Sequence, residues 1–303
     1  MLACPRCGSA LRWGEDCGCG RAWAEVNGVA DLYEPDPGAG EDTSVSEVVQ
    51  QFYEERPFPD YDAGDDLGSL VRKGRAVPFT RDLDAEIPIG ARVVELGCGT
   101  GQMSLFLGVP GREVIGVDLT MASLQVAERF RKHAKLGHTR LVRGNVFRPP
   151  ILRGSVDVAV SNGVLHHTAS AERAFAVMAS LVRPGGYVVL GLYNTFGRLL
   201  LPSLRRRHRA AAEAGGARAM AWFHDQHQHP RETRHTVDEV LGWFSANGLD
   251  FVSARPTVVP GAPEGPLFTP APPGAWWEHQ LAQLGWLGRA ADGGLFVMVG
   301  RKR

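Results

Sequence analysis

Nothing in this chain constrains its fold more than Val93-Val94-Glu95-Leu96-Gly97-Cys98-Gly99-Thr100-Gly101, followed by Val114-Ile115-Gly116-Val117-Asp118. An apolar run, a glycine-rich turn, an apolar helix start and a second apolar run ending in a carboxylate spell a βαβ unit that cradles a nucleotide. Gly97, Gly99 and Gly101 admit backbone conformations closed to other residues, and without a Cβ they let a bulky ligand lie against the main chain. Asp118 ends the second strand about 20 residues on, where a carboxylate accepts hydrogen bonds from both hydroxyls of a ribose. The stretch predicts a parallel sheet and a ligand that carries an adenosine.

The pattern around it is regular: strand 91–96, helix 101–108, strand 113–118, helix 120–136, strand 140–144, strand 156–161, helix 170–182 and strand 186–192. Strands alternating with helices imply a parallel sheet with right-handed crossovers, covered on both faces. Ligands of such sheets sit outside the carboxyl ends of the strands. Those ends are Glu95-Leu96-Gly97, Asp118-Leu119, Gly144-Asn145-Val146 and Ser161-Asn162-Gly163. A hydrophobic content of 44% supports a substantial core, and 33 basic residues balance 33 acidic ones, so bulk charge favours neither nucleic acid nor an acidic membrane as partner. No apolar run is long enough to span a bilayer, and Met1 leads into a cysteine pair where a signal peptide would need apolar residues, so a cytoplasmic protein without a membrane partner is expected.

These residues resemble the class I S-adenosylmethionine-dependent methyltransferases. Glu95 to Gly101 looks like the family's first motif, Asp118 like its acidic ribose ligand, and Gly144-Asn145-Val146 like its adenine-contacting turn. Asp157 to His167 resembles the fourth motif, and Leu181 to Leu190, with Pro184-Gly185-Gly186, the turn into the fifth strand. Asn145 departs from the family's frequent aspartate, although an amide carbonyl still accepts a hydrogen bond from the adenine amino group. The resemblance implies an α/β, Rossmann-like, seven-stranded, mostly parallel sheet with an antiparallel C-terminal edge strand. It also implies S-adenosyl-L-methionine as cofactor, held by Glu95, Gly97, Gly99, Gly101, Gln102, Asp118, Leu119, Asn145, Val146 and Asn162. A dehydrogenase shares the fold, but its G-x-G-x-x-G loop would need glycine where Gln102 stands, and the third glycine falls one place early, at Gly101. Further on, Thr236 to Gly248 reads as a helix with a Thr236/Glu239 capping box and a glycine stop. Phe251–Val259 and Gly294–Arg301 are then the antiparallel pair that the resemblance implies, separated by an insertion at 260–287. The tryptophans of that insertion, Trp276, Trp277 and Trp286, either cap the core or meet a neighbouring subunit, with core packing preferred.

Four of the five cysteines, Cys4, Cys7, Cys17 and Cys19, fall within the first 19 residues as two close pairs. In a reducing compartment this pattern points to a structural Zn2+ with four thiolate ligands, the neighbouring glycines letting the backbone turn under the metal. Arg21 to Tyr33, with an Asn27-Gly28 turn, reads as a hairpin that closes the module. Residues 1–35 thereby resemble the zinc-ribbon leader of some bacterial methyltransferases. Residues 36–90 are expected to be a linker and an N-terminal helical cover, including a helix from Val45 to Glu55 and another over Leu67–Asp84 with a solvated basic face. Tyr53 or Tyr61 would reach over the ligand or simply pack. The methyltransferase domain would then be 91–303.

The stretch 193–235 is too long for a plain connection and is expected to be a helical lid. Its Arg205–Arg209 cluster suits a carboxylate, a phosphate or a solvated helix face, and His224, His227, His229 and His235 suit hydrogen bonding in a polar pocket or, alternatively, a metal. A hydroxyl or ammonium acceptor needs a base, for which His167 and its neighbour His166 are the candidates at the mouth of the pocket, with His227 and Tyr193 as alternatives. The expected activity is methyl transfer to an O or N acceptor on a small molecule. Two alternatives are an RNA base methyltransferase that uses the ribbon to hold RNA, and a non-catalytic S-adenosylmethionine-binding protein.

Overall fold

The computed structural model describes residues 1–36, 48, 50, 51, 54, 61, 62, 64–229, 231–288 and 293–303. The expected linker, Tyr53 and most of the Val45–Glu55 helix lie outside these residues, although Val48, Gln50, Gln51 and Glu54 are helical.

The central apolar runs form parallel strands β3 (Arg92–Leu96), β4 (Glu113–Asp118), β5 (Thr139–Arg143), β6 (Val156–Asn162) and β7 (Val182–Tyr193). Their residues are buried on both faces, which is why they read as continuous apolar runs instead of alternating ones. Beyond β7, β9 (Leu295–Lys302) runs antiparallel between β7 and β8 (Leu249–Arg255), as the resemblance implied.

Among the described residues the sheet has nine strands where seven were expected, in the order β1 (Glu25–Val26), β2 (Val29–Asp31), β5, β4, β3, β6, β7, β9, β8. The two extra strands come from the cysteine-rich module: β1 and β2 form the Asn27-Gly28 hairpin, and β2 pairs parallel to β5 through Ala30 with Val142 and Asp31 with Arg143. Without that hairpin β5 would be an open edge. Val29 and Ala30 are fully buried, and Arg143 closes the join with a 3.1 Å ion pair to Asp31. The module is also stitched down at its start, where Leu152 N–H donates to the Met1 carbonyl at 2.8 Å.

On one face of the sheet pack α5 (Ala171–Leu181), α7 (Val237–Ala246) and α8 (Trp276–Gly285), with Phe175, Met178 and Phe244 in the core. On the other lie α1 (Leu67–Ala76), α2 (Pro78–Glu86), α3 (Gln102–Gly108) and α4 (Met121–His133), contributing Leu70, Leu83, Phe106 and Phe130. The helix expected over Leu67–Asp84 is thus two helices. Pro78 forces the preceding Val77 into an extended conformation, which ends α1 and starts α2. At α7 the expected capping box is present: Thr236 N–H donates to Glu239 Oε2 at 2.6 Å, and Glu239 N–H returns to Thr236 Oγ1 at 3.3 Å. The insertion divides its tryptophans. Trp286 is buried against Phe296, whereas Trp276 and Trp277 are 69% and 58% exposed.

The stretch expected to be a lid folds as α6 (Leu201–Gln228), broken at Gly216, whose φ of 78° and ψ of −165° are not helical. The break folds the second half back on the first, so that His208 Nδ1 and His227 Nε2 meet at 2.9 Å.

Candidate functional site

The glycine loop caps the carboxyl end of β3 and leans on β4, where Val117 carbonyl accepts the Gly97 and Cys98 N–H groups at 2.8 and 3.1 Å. Gly97, Gly99 and Gly101 have φ of 78°, 52° and 73°, the left-handed region that a side chain resists. Space excludes one as well: a Cβ on Gly97 would lie 2.4 Å from Val164. Gln102 opens α3 directly after the loop.

Asp118 braces the loop from the next strand. Its Oδ2 accepts the Gly99 N–H at 2.8 Å, and its Oδ1 accepts the Thr120 N–H at 2.8 Å. The Thr120 side chain and the Leu119 N–H also favour its charged form, so the carboxylate is fixed at the end of β4 beside the loop. Burial pushes its carboxyl above the usual range in spite of those bonds. Leu119 follows, its carbonyl held by Arg143 Nε at 3.1 Å.

Glu95 lies beneath the loop and is buried, with Ser104 Oγ of α3 donating to its Oε2. Burial pushes its carboxyl up to about 8, with the nearby Asp118 charge adding to the effect. Its described bond is to α3, so it ties helix to strand under the cradle. Asn145 is also buried and uses its Oδ1 to accept the Phe147 N–H at 3.0 Å, fixing the turn in which Val146 sits half-buried. Asn162 differs from both. Its Oδ1 is buried at the end of β6 with no hydrogen-bond partner among the described residues, and it lies so near Gly191 that a Cβ there would come within 1.9 Å of it.

His166 and His167 occupy a short 3-10 turn after β6 and are buried. His167 Nδ1–H donates to the Arg231 carbonyl at 2.6 Å, which leaves its Nε2 to accept His166 Nε2–H at 3.1 Å. His166 Nδ1 in turn accepts the Tyr193 N–H at 3.3 Å, and its ring stacks on Tyr193 at 3.8 Å. Both rings are held well below the ordinary imidazole value, by burial first and then by the neighbouring histidines and Arg198. All four ring nitrogens of the pair are therefore engaged in bracing the stem of the lid. Thr233 N–H adds a 2.8 Å bond to the His166 carbonyl, and His229 stacks on His167 at 3.5 Å. Tyr193 is buried under the guanidinium of Arg198, which pairs with Glu232. His227 has Nε2 engaged with His208 and titrates at about 4 because of burial. Among the histidines proposed as metal ligands, His229 stands against His167 and His235 Nε2 against Thr233 Oγ1 at 2.9 Å, so the described groups spread along the stem rather than around one point.

Sequence patterns pointed to neither Glu54 nor the Arg198–Glu232 pair. Glu54 accepts the Met121 and Ala122 N–H groups at 3.0 and 3.1 Å, while Tyr61 Oη donates to the Thr100 carbonyl at 3.0 Å. Both contacts span more than thirty residues of sequence and match no local pattern.

At the other end of the chain, Cys4, Cys7, Cys17 and Cys19 converge, their sulfurs all within 4.8 Å of one another. The pairs Cys4–Cys19 and Cys7–Cys17 stand at 3.7 and 3.6 Å. Ligands about 2.3 Å from a tetrahedral zinc lie about 3.8 Å apart, so the donor set fits that ion. Each pair ends in a glycine with positive φ, Gly8 at 78° and Gly20 at 84°. No helix among the described residues is long and apolar enough to cross a membrane.

Residues 94–190 match the family described as a methyltransferase domain. Among curated proteins, an S-adenosyl-L-methionine-dependent Diels-Alderase from Talaromyces variabilis is 34% identical over 107 residues, which are 34% of this chain and 37% of that protein. A ubiquinone biosynthesis O-methyltransferase from Burkholderia thailandensis is 32% identical over 116 residues, 37% of this chain and 48% of that protein. The chain thus spans less than half the length of either curated relative. A solved geranyl diphosphate C-methyltransferase from Streptomyces coelicolor A3(2) superposes over 86% of this chain and 98% of its own, with a TM-score of 0.50 and 15% identity, and so shares the fold. The motif match, the sheet order and the glycine-loop geometry agree: the chain carries a methyltransferase domain over residues 94–190, on the Rossmann-like sheet of the class I S-adenosylmethionine-dependent methyltransferases that it resembles.

Proposed function

We propose that the protein transfers a methyl group from S-adenosylmethionine to an oxygen or nitrogen of a small molecule. The observation that carries this is the meeting of three features at adjacent strand ends: a loop of left-handed glycines, a carboxylate that braces the loop from the next strand, and the buried carbonyl of Asn162, unpartnered among the described residues. Together they fit an adenosine with a cationic amino-acid tail. When bound, that cofactor supplies an electrophilic methyl group. Asp118 would take the ribose hydroxyls, Gly97 to Gly101 would pass the rest of the molecule along bare backbone, and Asn162 would accept an N–H donor. Glu95, Gln102, Leu119, Asn145 and Val146 would shape the walls. In-line displacement needs mainly alignment of the two reactants, so few side chains have to do chemistry.

For a hydroxyl or amine acceptor we assign proton uptake to His227, the candidate histidine with one ring nitrogen engaged, and we assign His166 and His167 to bracing the lid stem. The O-methyltransferase relative supports an oxygen acceptor, and the balanced charge of the chain supports a small molecule over RNA. Cys4, Cys7, Cys17 and Cys19 would hold a structural zinc. The Diels-Alderase relative supports a second possibility, use of the cofactor without turnover.

The test is incubation with methyl-labelled S-adenosylmethionine and separate fractions of cellular metabolites and RNA. Label is expected in a metabolite fraction. Label in RNA would replace the proposal with a base methyltransferase, and cofactor binding without label in any fraction would favour the non-transferring alternative.

A further inference from the structure

The N-terminal helix of the cover carries no recognised motif, yet one of its side chains reaches the start of α4. Glu54 accepts the N–H groups of Met121 and Ala122 at 3.0 and 3.1 Å, the first two residues of that helix. Thr120, which precedes them, supplies no side-chain cap of its own. The Thr120 N–H itself goes to Asp118. Two carboxylates thus divide three successive backbone donors, Asp118 taking one and Glu54 two.

That division matters for Asp118. The first N–H groups of a helix have no partner within it, and together with the helix dipole they attract any nearby anion. If Glu54 were absent, the nearest carboxylate would be that of Asp118, three residues before Met121 in the same turn. That carboxylate would then be drawn toward the helix and away from the glycine loop. A second contact reinforces the first: Tyr61 Oη donates to the Thr100 carbonyl in the glycine loop at 3.0 Å, and its ring stacks on Phe130 of α4 at 4.3 Å. Glu54 and Tyr61 therefore hold both halves of the cofactor cradle from one segment of chain.

We propose that Glu54 is a positioning residue for the cofactor: it occupies the helix start and so keeps the Asp118 carboxylate turned toward the glycine loop. This inference rests on the cofactor assignment made above. The experiment measures dissociation of S-adenosylhomocysteine by stopped flow, with affinity from calorimetry, in the full chain. Glu54→Ala is expected to speed dissociation about tenfold, since it removes two charge-assisted hydrogen bonds. Glu54→Gln, which keeps a carbonyl acceptor, should fall between Glu54→Ala and wild type. Thr236→Ala removes a comparable cap from α7, remote from the cradle; it should lower the thermal midpoint as much as Glu54→Ala does, and leave dissociation within about twofold of wild type. An unchanged rate in Glu54→Ala, or an equal rise in Thr236→Ala, overturns the positioning role while leaving the cofactor assignment intact. A wild type that binds no S-adenosylhomocysteine overturns the cofactor assignment, and this inference with it.

Discussion

Asp118, half-buried, and Glu95, buried, are both carboxyl groups beside the glycine loop, and their surroundings give them different work. Asp118 is partly open at the end of β4, so Asp118→Ala should weaken S-adenosylhomocysteine binding by about a hundredfold or more, as measured by calorimetry, because hydrogen bonds to a charged group are among the strong ones. Unaltered affinity would remove Asp118 from the site. Glu95 has no such opening, and its influence is on stability. Its carboxyl is raised from 4.5 to about 8, so the folded state holds its proton more tightly than the unfolded chain does. The stability it contributes is complete below pH 4.5 and is lost as the pH rises toward 8, with a slope of at most about 1.4 kcal/mol per pH unit. Glu95→Gln should remove that slope from denaturation curves recorded between pH 5 and 8. His227→Ala should lower kcat on the acceptor, once one is known, with little change in melting temperature; His167→Ala should do the reverse. The glycines and Asp118 were legible in the sequence because each meets a requirement that few other residues satisfy. The structural tie of Glu95 was not, because its partner Ser104 is an ordinary helix residue nine positions on.

Among the elements, the parallel strands could be read directly, since strands buried on both faces must be apolar throughout. The two-residue β1 and three-residue β2 were visible only as a hairpin, and their pairing with β5 depends on a distant edge that no local pattern reveals. The lid was legible as an overlong connection, and its histidines were legible as a cluster. That they brace the stem follows from which donors surround each ring. This has a pH consequence opposite to that of Glu95. His229 titrates at about 4 in the folded chain against 6.5 ordinarily, because of burial, and His166 and His167 are lowered as well. The unfolded chain takes up protons first, so the stem is at full strength above pH 6.5 and weakens as the pH falls toward 4. Each histidine can contribute a slope of up to about 1.4 kcal/mol per pH unit. Hydrogen exchange of the 229–235 backbone should therefore accelerate between pH 6.5 and 5, after correction for the intrinsic rate, more than exchange in β3 and β4. Equal protection at both pH values would show that the histidines do not hold the stem.

At the scale of the whole molecule, the cysteine module and the cofactor cradle share a sheet. β2 runs beside β5, and Arg143 at the end of β5 holds Asp31 of the module at 3.1 Å with one nitrogen and the Leu119 carbonyl of the cofactor turn at 3.1 Å with another. A disturbance of the module thus has a short path to Asp118. Structural zinc contributes directly to folding in small modules of this kind, because the four thiolates have little else to hold them together. Elemental analysis should find one zinc per chain, and replacing Cys4 and Cys7 by Ser should abolish it. Stripping the metal with a strong chelator should loosen the β1–β2 hairpin, leave β5 as an open edge and lower the thermal midpoint. Because Arg143 would lose its anchor at Asp31, affinity for S-adenosylhomocysteine should fall several-fold in the same sample. Restoring zinc should recover both quantities together. If chelation lowers the melting temperature while affinity holds, the module and the cradle share a sheet without sharing energetics. A metal-free wild type with intact stability would mean that the four sulfurs need no ion to converge.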